Sequence, residues 1–238
     1  MKTIIFLLIV LSQIVSAKVT TAKYEVSYGI FQTLGIADAR FETRDDDTYS
    51  IRIEARTTGI AKLLSNNRVE VYESHGTIVN GKLIPEKYNK TRRTNSKKTT
   101  KFYTFDHRKK TVLKEVIEGK DRGDKETNDF YAPEDILSLF FNVKQYMKLR
   151  QNQVLYAIGA NKNNGRIDVV FPKGKELERV AKELEIEDGV FVKVILNDRI
   201  FSSSNGELLI NLDEDGLCEK AILEDVLLFG DIVGKRIE

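Results

Sequence analysis

The chain has 238 residues, with 38 Lys and Arg against 36 Asp and Glu for a formal net charge of +2. That even balance excludes a polycation, although the charges are unevenly spread along the chain. The single cysteine, Cys218, excludes an intramolecular disulfide, so the fold has to rest on its hydrophobic core.

The first stretch, MKTIIFLLIVLSQIVSAKVTT, places one positive charge, Lys2, before an apolar run from Ile4 to Val15. Small residues follow at Val15-Ser16-Ala17. This is the layout of a secretory signal peptide. The run is shorter than the ~20 apolar residues that span a bilayer. The residue after the expected cut is Lys18, not the cysteine of a lipid-anchored lipoprotein. We therefore expect residues 1–17 to be a signal peptide and residues 18–238 to form one exported domain. A domain of about 220 residues buries on the order of 70% of its unfolded surface, enough for a core without disulfides. The most apolar later window, Ile136 to Val143, is far too short for a membrane span.

Beyond Lys18 the dominant hydrophobic period is two. Tyr24, Val26 and Tyr28 alternate with polar residues, as do Tyr49, Ile51, Ile53 and Ala55, and later Leu208, Ile210 and Leu212. Such alternation marks strands with one buried and one wet face. Turn clusters separate them: RDDDT at 44–48, ESHG at 73–76, VNGK at 79–82 and LDEDG at 212–216. Asn80-Gly81 supplies the two positive-φ residues of a tight hairpin. Many short strands with regular turns predict an all-β fold, an antiparallel curved sheet, barrel or half-barrel. TTGIAKLLSNN, at 57–67, reads as a strand connection tucked into the core. Its other reading is a membrane-touching or ligand-gating loop built on Gly59, Ile60, Ala61, Leu63 and Leu64. FGDIVG, at 229–234, carries the same pair of readings.

Lys87 to Lys120 holds twelve Lys and Arg and three acids, whereas from Glu176 onward acids outnumber bases about two to one. Ile84, Tyr88 and Arg92 are expected along one side of a strand, with TNSKK and DHRKK as the following turns. Tyr103 and Phe105 share a side of the strand between those turns. Lysines on strand faces and edges blunt edge-to-edge aggregation, so a solvated hairpin surface accounts for most of this charge. Arg92, Arg93, Lys97 and Lys98 are the candidate anion-facing residues, for lipid headgroups, lipopolysaccharide or the acidic surface of a partner. An exported chain is removed from nucleic acid, and none is expected as a partner.

APEDILSLFFNVKQYMKLR, at 132–150, is the main predicted helix. Pro133 suits a first turn. Glu134 and Asp135 suit the positive end of the helix dipole, and Lys148 and Arg150 the negative end. Ile136, Leu139, Phe140, Val143 and Met147 share one face, widened by Leu137 and Phe141. A helix so apolar must press on the apolar side of the sheet, and those five residues are the candidate contacts of a ligand held between the two. KELERVAKELEIEDG, at 175–189, has helical propensity soon after Pro172.

Asn211 to Gly216 looks like the first half of a calcium loop, but its twelfth position is Ile222, where a bidentate glutamate should close the shell. A hairpin turn is expected there, and no metal. His75 and His107 are the only histidines, both in predicted turns, and the adjacent side chains of Asp106 and His107 should point apart. No GxSxG elbow, HExxH or GxxxxGK[ST] loop occurs. Cys218 reads as a small core hydrophobe. No catalytic residue and no cofactor is expected; hydrolysis through dispersed carboxylates is the enzymatic alternative.

The series YEVSYGIFQTLGIADARFE, EARTTGIAKLLSNNRVEVYES, LIPEKYNKTRR, YTFDHRKKTV, APEDILSLFFNV, GELLINLDEDG and LEDVLLFGDIVG, in that order, resembles the exported bacterial proteins grouped as Domain of Unknown Function 3108. The resemblance runs through nearly all of 18–238. It departs at Lys173 to Asp188, where a helical-looking ELERVAKEL replaces a plainer strand-rich stretch. It implies a Gram-negative periplasm and a barrel-like all-β fold with a helix, and it supplies no activity and no catalytic residues. The implied architecture is also similar to curved-sheet carriers that shuttle lipoproteins, a likeness of fold from which function does not follow. The expectation is a non-catalytic periplasmic envelope protein binding a lipid, a lipoprotein-like amphipathic ligand or an envelope protein. A hydrolase of envelope polymers or lipids and an assembly factor without a pocket are the alternatives.

Overall fold

The computed structural model describes residues 18–28, 31–147, 150–160, 164–196, 207–226 and 230–238. The expected signal peptide, Lys148 and Phe229 lie outside the described residues.

The alternating segments form a run of antiparallel hairpins: β1 (Lys18–Tyr28), β2 (Phe31–Thr43), β3 (Thr48–Thr57), β4 (Val69–Val79), β5 (Lys82–Arg93), β6 (Lys98–Asp106) and β7 (Thr111–Glu118). Two-residue strands β8 (Asp121–Arg122) and β9 (Glu126–Thr127) fold back on β7. After β10 (Glu134–Asp135) come β11 (Gln153–Ile158), β12 (Arg166–Val170), β13 (Val190–Leu196), β14 (Glu207–Leu212), β15 (Cys218–Val226) and β16 (Gly230–Arg236). All sixteen belong to one sheet in the order β10-β11-β12-β13-β14-β15-β16-β1-β2-β3-β4-β5-β6-β7-β8, with β9 beside β7. Pairing of β16 with β1, Tyr24 opposite Arg236, joins the first and last described strands in the middle of the sheet. The sheet is curved and its outer strands, β8 and β10, do not pair with each other, so it is a half-barrel and not a closed one.

Among the described residues three helices accompany it: α1 (Gly59–Leu64), α2 (Ile136–Met147) and α3 (Lys175–Leu184). α2 lies on the concave side between two cores. Leu139, with Phe140 and Val143, packs on Ile167, Val169, Val192, Ile210 and Leu212. Leu137, with Phe141, packs on Tyr49, Ile51, Leu83, Tyr88, Phe105 and Val112. α3 takes the opposite face: Val180 and Leu184 cover Phe191, Leu209 and Ile222. Strands β13 to β15 are therefore buried on both faces, which suits continuous apolar runs such as VFVKVIL and ELLINL. Burial of each large aliphatic side chain is worth roughly 1.5–3 kcal/mol, so the packing of both helices contributes substantially to the stability of the sheet.

Several expectations are met in detail. Asn80 and Gly81 have φ of 52° and 75° and join β4 to β5. Asn211 to Gly216 lies at the turn between β14 and β15. There Asp213 Oδ1 accepts the N–H of Asp215 and of Leu217 within the turn, and Oδ2 accepts Arg236 of β16. Cys218 is buried in the first core, and burial pushes its thiol up to about 12.

Others are corrected. TTGIAKLLSNN is not tucked into the core: it contains α1, in which no residue is buried. Ile84 does not share a side with Tyr88. Gly76 pairs with Pro85 while His75 pairs with Lys87, so Glu86 is an extra residue on β5. Such a bulge shifts the alternation by one, and Leu83 and Tyr88 face the core together. The main helix begins later than its composition suggests. Pro133 precedes it, and Glu134 and Asp135 pair in parallel with Ala157 and Ile158 as β10.

Candidate functional site

Two places bring the predicted residues together, the inner side of α2 and the tip of the β5–β6 hairpin.

α2 is apolar on two sides and polar along a seam between them. Asp135 caps it: Oδ1 accepts the N–H of Leu137 at 2.8 Å and of Ser138 at 3.0 Å, while Ser138 Oγ accepts the N–H of Asp135 at 3.1 Å. This is a reciprocal capping box. The other carboxylate oxygen accepts the hydroxyl of Ser74 on β4 at 2.6 Å, and Ser74 Oγ lies 3.0 Å from the hydroxyl of Tyr49 on β3. Asp135 is fully buried, and desolvation raises its carboxyl from 3.8 to about 6 despite these donors.

Two turns along the seam, Asn142 meets β5. Its Oδ1 accepts the N–H of Leu83 at 2.8 Å, and its Nδ2 donates to Leu83 O at 2.9 Å and to Glu134 Oε1 at 2.8 Å. The local cause is a mismatch of strand lengths. β6 pairs with β5 only from Lys87 onward, which leaves the start of β5 with a free edge inside the protein. Asn142 satisfies that edge at Leu83, and His107 Nε2 lies 2.6 Å from Pro85 O while its Nδ1 lies 3.0 Å from the Tyr131 hydroxyl. Glu134, also buried, pairs with Lys82 at 3.0 Å. Burial opposes the Lys82 ammonium, but the Tyr146 hydroxyl and the Glu134 carboxylate hold its pKa above the usual value.

The predicted ligand contacts Ile136, Leu139, Phe140 and Val143 all pack against the first core, and Ile136 touches the second as well. The side chain of Met147 lies outside the described residues. Beside Phe140 and Phe141 a gap of about 40 Å³ remains, lined also by Tyr24, Phe41 and Ile53. Phe41 and Phe141 stack across it with ring centroids 4.5 Å apart. The far edge of the sheet closes over the second core: a Cβ on Gly159, whose φ is +93°, would stand 2.8 Å from the Tyr88 hydroxyl. That hydroxyl is buried without a hydrogen-bond partner among the described residues.

The predicted anion-facing residues do gather at one end of the sheet. Arg93 stands opposite Lys98 and Arg92 opposite Thr99, with Lys97 in the turn, and all four basic side chains are exposed. Strand alternation puts Arg92 on the face of Tyr88, and Arg93 and Lys98 on the other. Lys97 pairs with Glu118 at 2.9 Å, an exposed contact of little energetic weight. Among the described residues Arg92, Arg93 and Lys98 have no ion-pair partner, and Arg93 facing Lys98 sets like charges across the ladder. Asn95 ties this tip to the α1 connection: its N–H donates to Asn66 O at 3.0 Å, and its Oδ1 accepts Asn67 Nδ2 at 2.8 Å.

A family model described as a protein of unknown function (DUF3108) matches residues 23–176, well over half of the chain. The chain belongs to this family. The matched residues end at Glu176, in the first turn of α3, so GELLINLDEDG and LEDVLLFGDIVG lie beyond them. Among solved structures the chain is similar to a beta-barrel-like protein of Domain of Unknown Function DUF1849 from Brucella abortus, at 10% identity and a TM-score of 0.55, over 92% of this chain and 95% of that one. At that identity the likeness shows the fold alone. No curated protein matches.

Sequence reasoning missed the seam. Ser138 and Asn142 stand four apart in the otherwise apolar stretch Ile136 to Val143, and that spacing was the available signal. Among the described residues no group of three His, Cys, Asp or Glu side chains is placed to hold a metal ion. No described helix is long and apolar enough to cross a membrane.

Proposed function

We propose that the chain is a non-catalytic protein of the bacterial cell envelope that binds its partner through its outer surface, without enclosing a ligand. The observation that carries this reading is the filling of the concave side. α2 packs on both cores, and the gap beside it is about 40 Å³, against the roughly 300–1,000 Å³ of small-molecule sites. The buried polar side chains at the ends of this seam are engaged, Asp135 with Ser74 and its own helix and Asn142 with Leu83. They hold the helix in place and are not offered to a substrate, which supports a scaffold over a hydrolase. Export is supported by the signal-like segment at 1–17.

Native mass spectrometry of the chain purified from its own envelope fraction tests this. The expected species is residues 18–238 without bound lipid. A co-purified acyl lipid that cross-links to Ile136, Leu139, Phe140 or Val143, between α2 and the sheet, would overturn the reading and favour a carrier.

A further inference from the structure

α1 inverts the usual pattern of a surface helix. Ile60, Leu63 and Leu64 stand at i, i+3 and i+4, the spacing of a buried stripe, yet they are 74%, 78% and 84% exposed. The backbone around them is fixed. Thr58 N–H donates to Leu34 O at 2.9 Å, Asn67 N–H to Lys62 O at 2.8 Å, and the hydroxyls of Thr57 and Ser65 lie 2.8 Å apart. Asn66 Nδ2 donates to Ser96 Oγ at 3.1 Å, which joins the helix to the basic hairpin tip. The connection that carries the apolar stripe is thus tied to the turn between Arg93 and Lys98; these two and Lys62 have no ion-pair partner among the described residues, and the acids that share a groove with Arg93 and Lys98, Glu54 and Glu73, pair with Arg52.

We infer that α1 and the β5–β6 tip form a docking site for an anionic phospholipid surface. Ile60, Leu63 and Leu64 enter the boundary between headgroups and acyl chains, and Lys62, Arg93 and Lys98 face the phosphates. Two observations favour lipid over protein. Three side chains fall well short of the ~800 Å² per partner of a stable protein interface. An apolar edge on a turn region whose cations have no ion-pair partner among the described residues is complementary to an anionic bilayer, where apolar burial and charge attraction act together. The inference rests on the reading of the chain as a surface-binding envelope protein.

Co-sedimentation of residues 18–238 with phosphatidylcholine vesicles, with and without phosphatidylglycerol, tests it. The wild-type chain is expected to bind the anionic vesicles at least about tenfold more tightly than the neutral ones, and more weakly as salt rises. L63D/L64D should abolish binding, and R93E/K98E should reduce it to the neutral level, with melting temperatures unchanged because all four side chains are exposed. Equal binding by the wild type and L63D/L64D would overturn the inference. So would a wild-type chain left in the supernatant, or one cross-linked through α1 to a protein while ignoring vesicles. If vesicles fail but the chain fractionates with the envelope free of internal lipid, the docking site is wrong and the broader reading stands. A chain retained in the cytoplasm overturns the broader reading whatever the vesicles show.

Discussion

Asn142 binds both backbone groups of Leu83 with one side-chain amide, its Oδ1 2.8 Å from the N–H and its Nδ2 2.9 Å from the carbonyl. A helix residue thereby stands in for the missing neighbour of a strand. This joins α2 to β5 where β6 has not yet begun, and it explains a polar residue in the middle of an apolar helix. Asn142→Ala leaves two backbone groups of Leu83 buried and unpaired. We expect a loss of about 2–4 kcal/mol in urea unfolding, well beyond the cost of an exposed Asn→Ala change.

Asp135 gives the fold a pH dependence of defined sign. Its carboxyl is raised from 3.8 to about 6 by burial, so the folded state binds a proton more readily than the unfolded one. The stabilisation is fully present below pH 3.8 and is lost as pH rises through about 6; a shift of this size corresponds to roughly 3 kcal/mol. Asp135→Asn keeps an acceptor for Leu137 and Ser138 and a polar contact for Ser74. It should flatten the stability profile between those two pH values and raise stability at pH 8 relative to the wild type. Unfolding curves that remain parallel across pH would contradict this role.

Tyr88 has a buried hydroxyl without a hydrogen-bond partner among the described residues, pressed against Gly159. Tyr88→Phe removes that group and keeps the ring stacked on Tyr103. The variant should be as stable as the wild type, or more stable by up to about 1 kcal/mol. A clear loss in thermal or urea unfolding would show that the hydroxyl is satisfied in solution.

Cys218 is buried, and its thiol is raised to about 12. A thiol so rarely ionised should resist alkylation in the native protein at pH 8 and react readily in denaturant. Labelling of the folded chain at the rate of a free thiol would mean that the first core opens.

Period-two patterning located the strands well. Tyr49, Ile51 and Leu212 are almost completely buried, as their alternation demands. What it could not place was anything set by strand length or curvature. The bulge at Glu86 depends on how β4 and β5 meet, so Leu83 and not Ile84 became the core residue. Composition did predict a helix pressed on the sheet, but not that it would be apolar on two sides and fill the hollow. The signal for that was Leu137 and Phe141 on one side of the Ser138–Asn142 seam and Leu139, Phe140 and Val143 on the other. The gathering of Arg92, Arg93, Lys97 and Lys98 at one tip was legible because a single hairpin carries them all. The exposure of Ile60, Leu63 and Leu64 was not, because burial of an apolar segment is a property of its neighbours and not of its sequence.

Residue-resolved hydrogen exchange along α2 tests most directly whether the helix is a fixed part of the interior. The amides of Leu139 to Val143 should exchange only through global unfolding, as slowly as those of Ile51 and Val112 in the sheet. Exchange in α2 faster than in those strands by orders of magnitude would mean that the helix swings out on its own, and the sheet would then be a container with a movable plug.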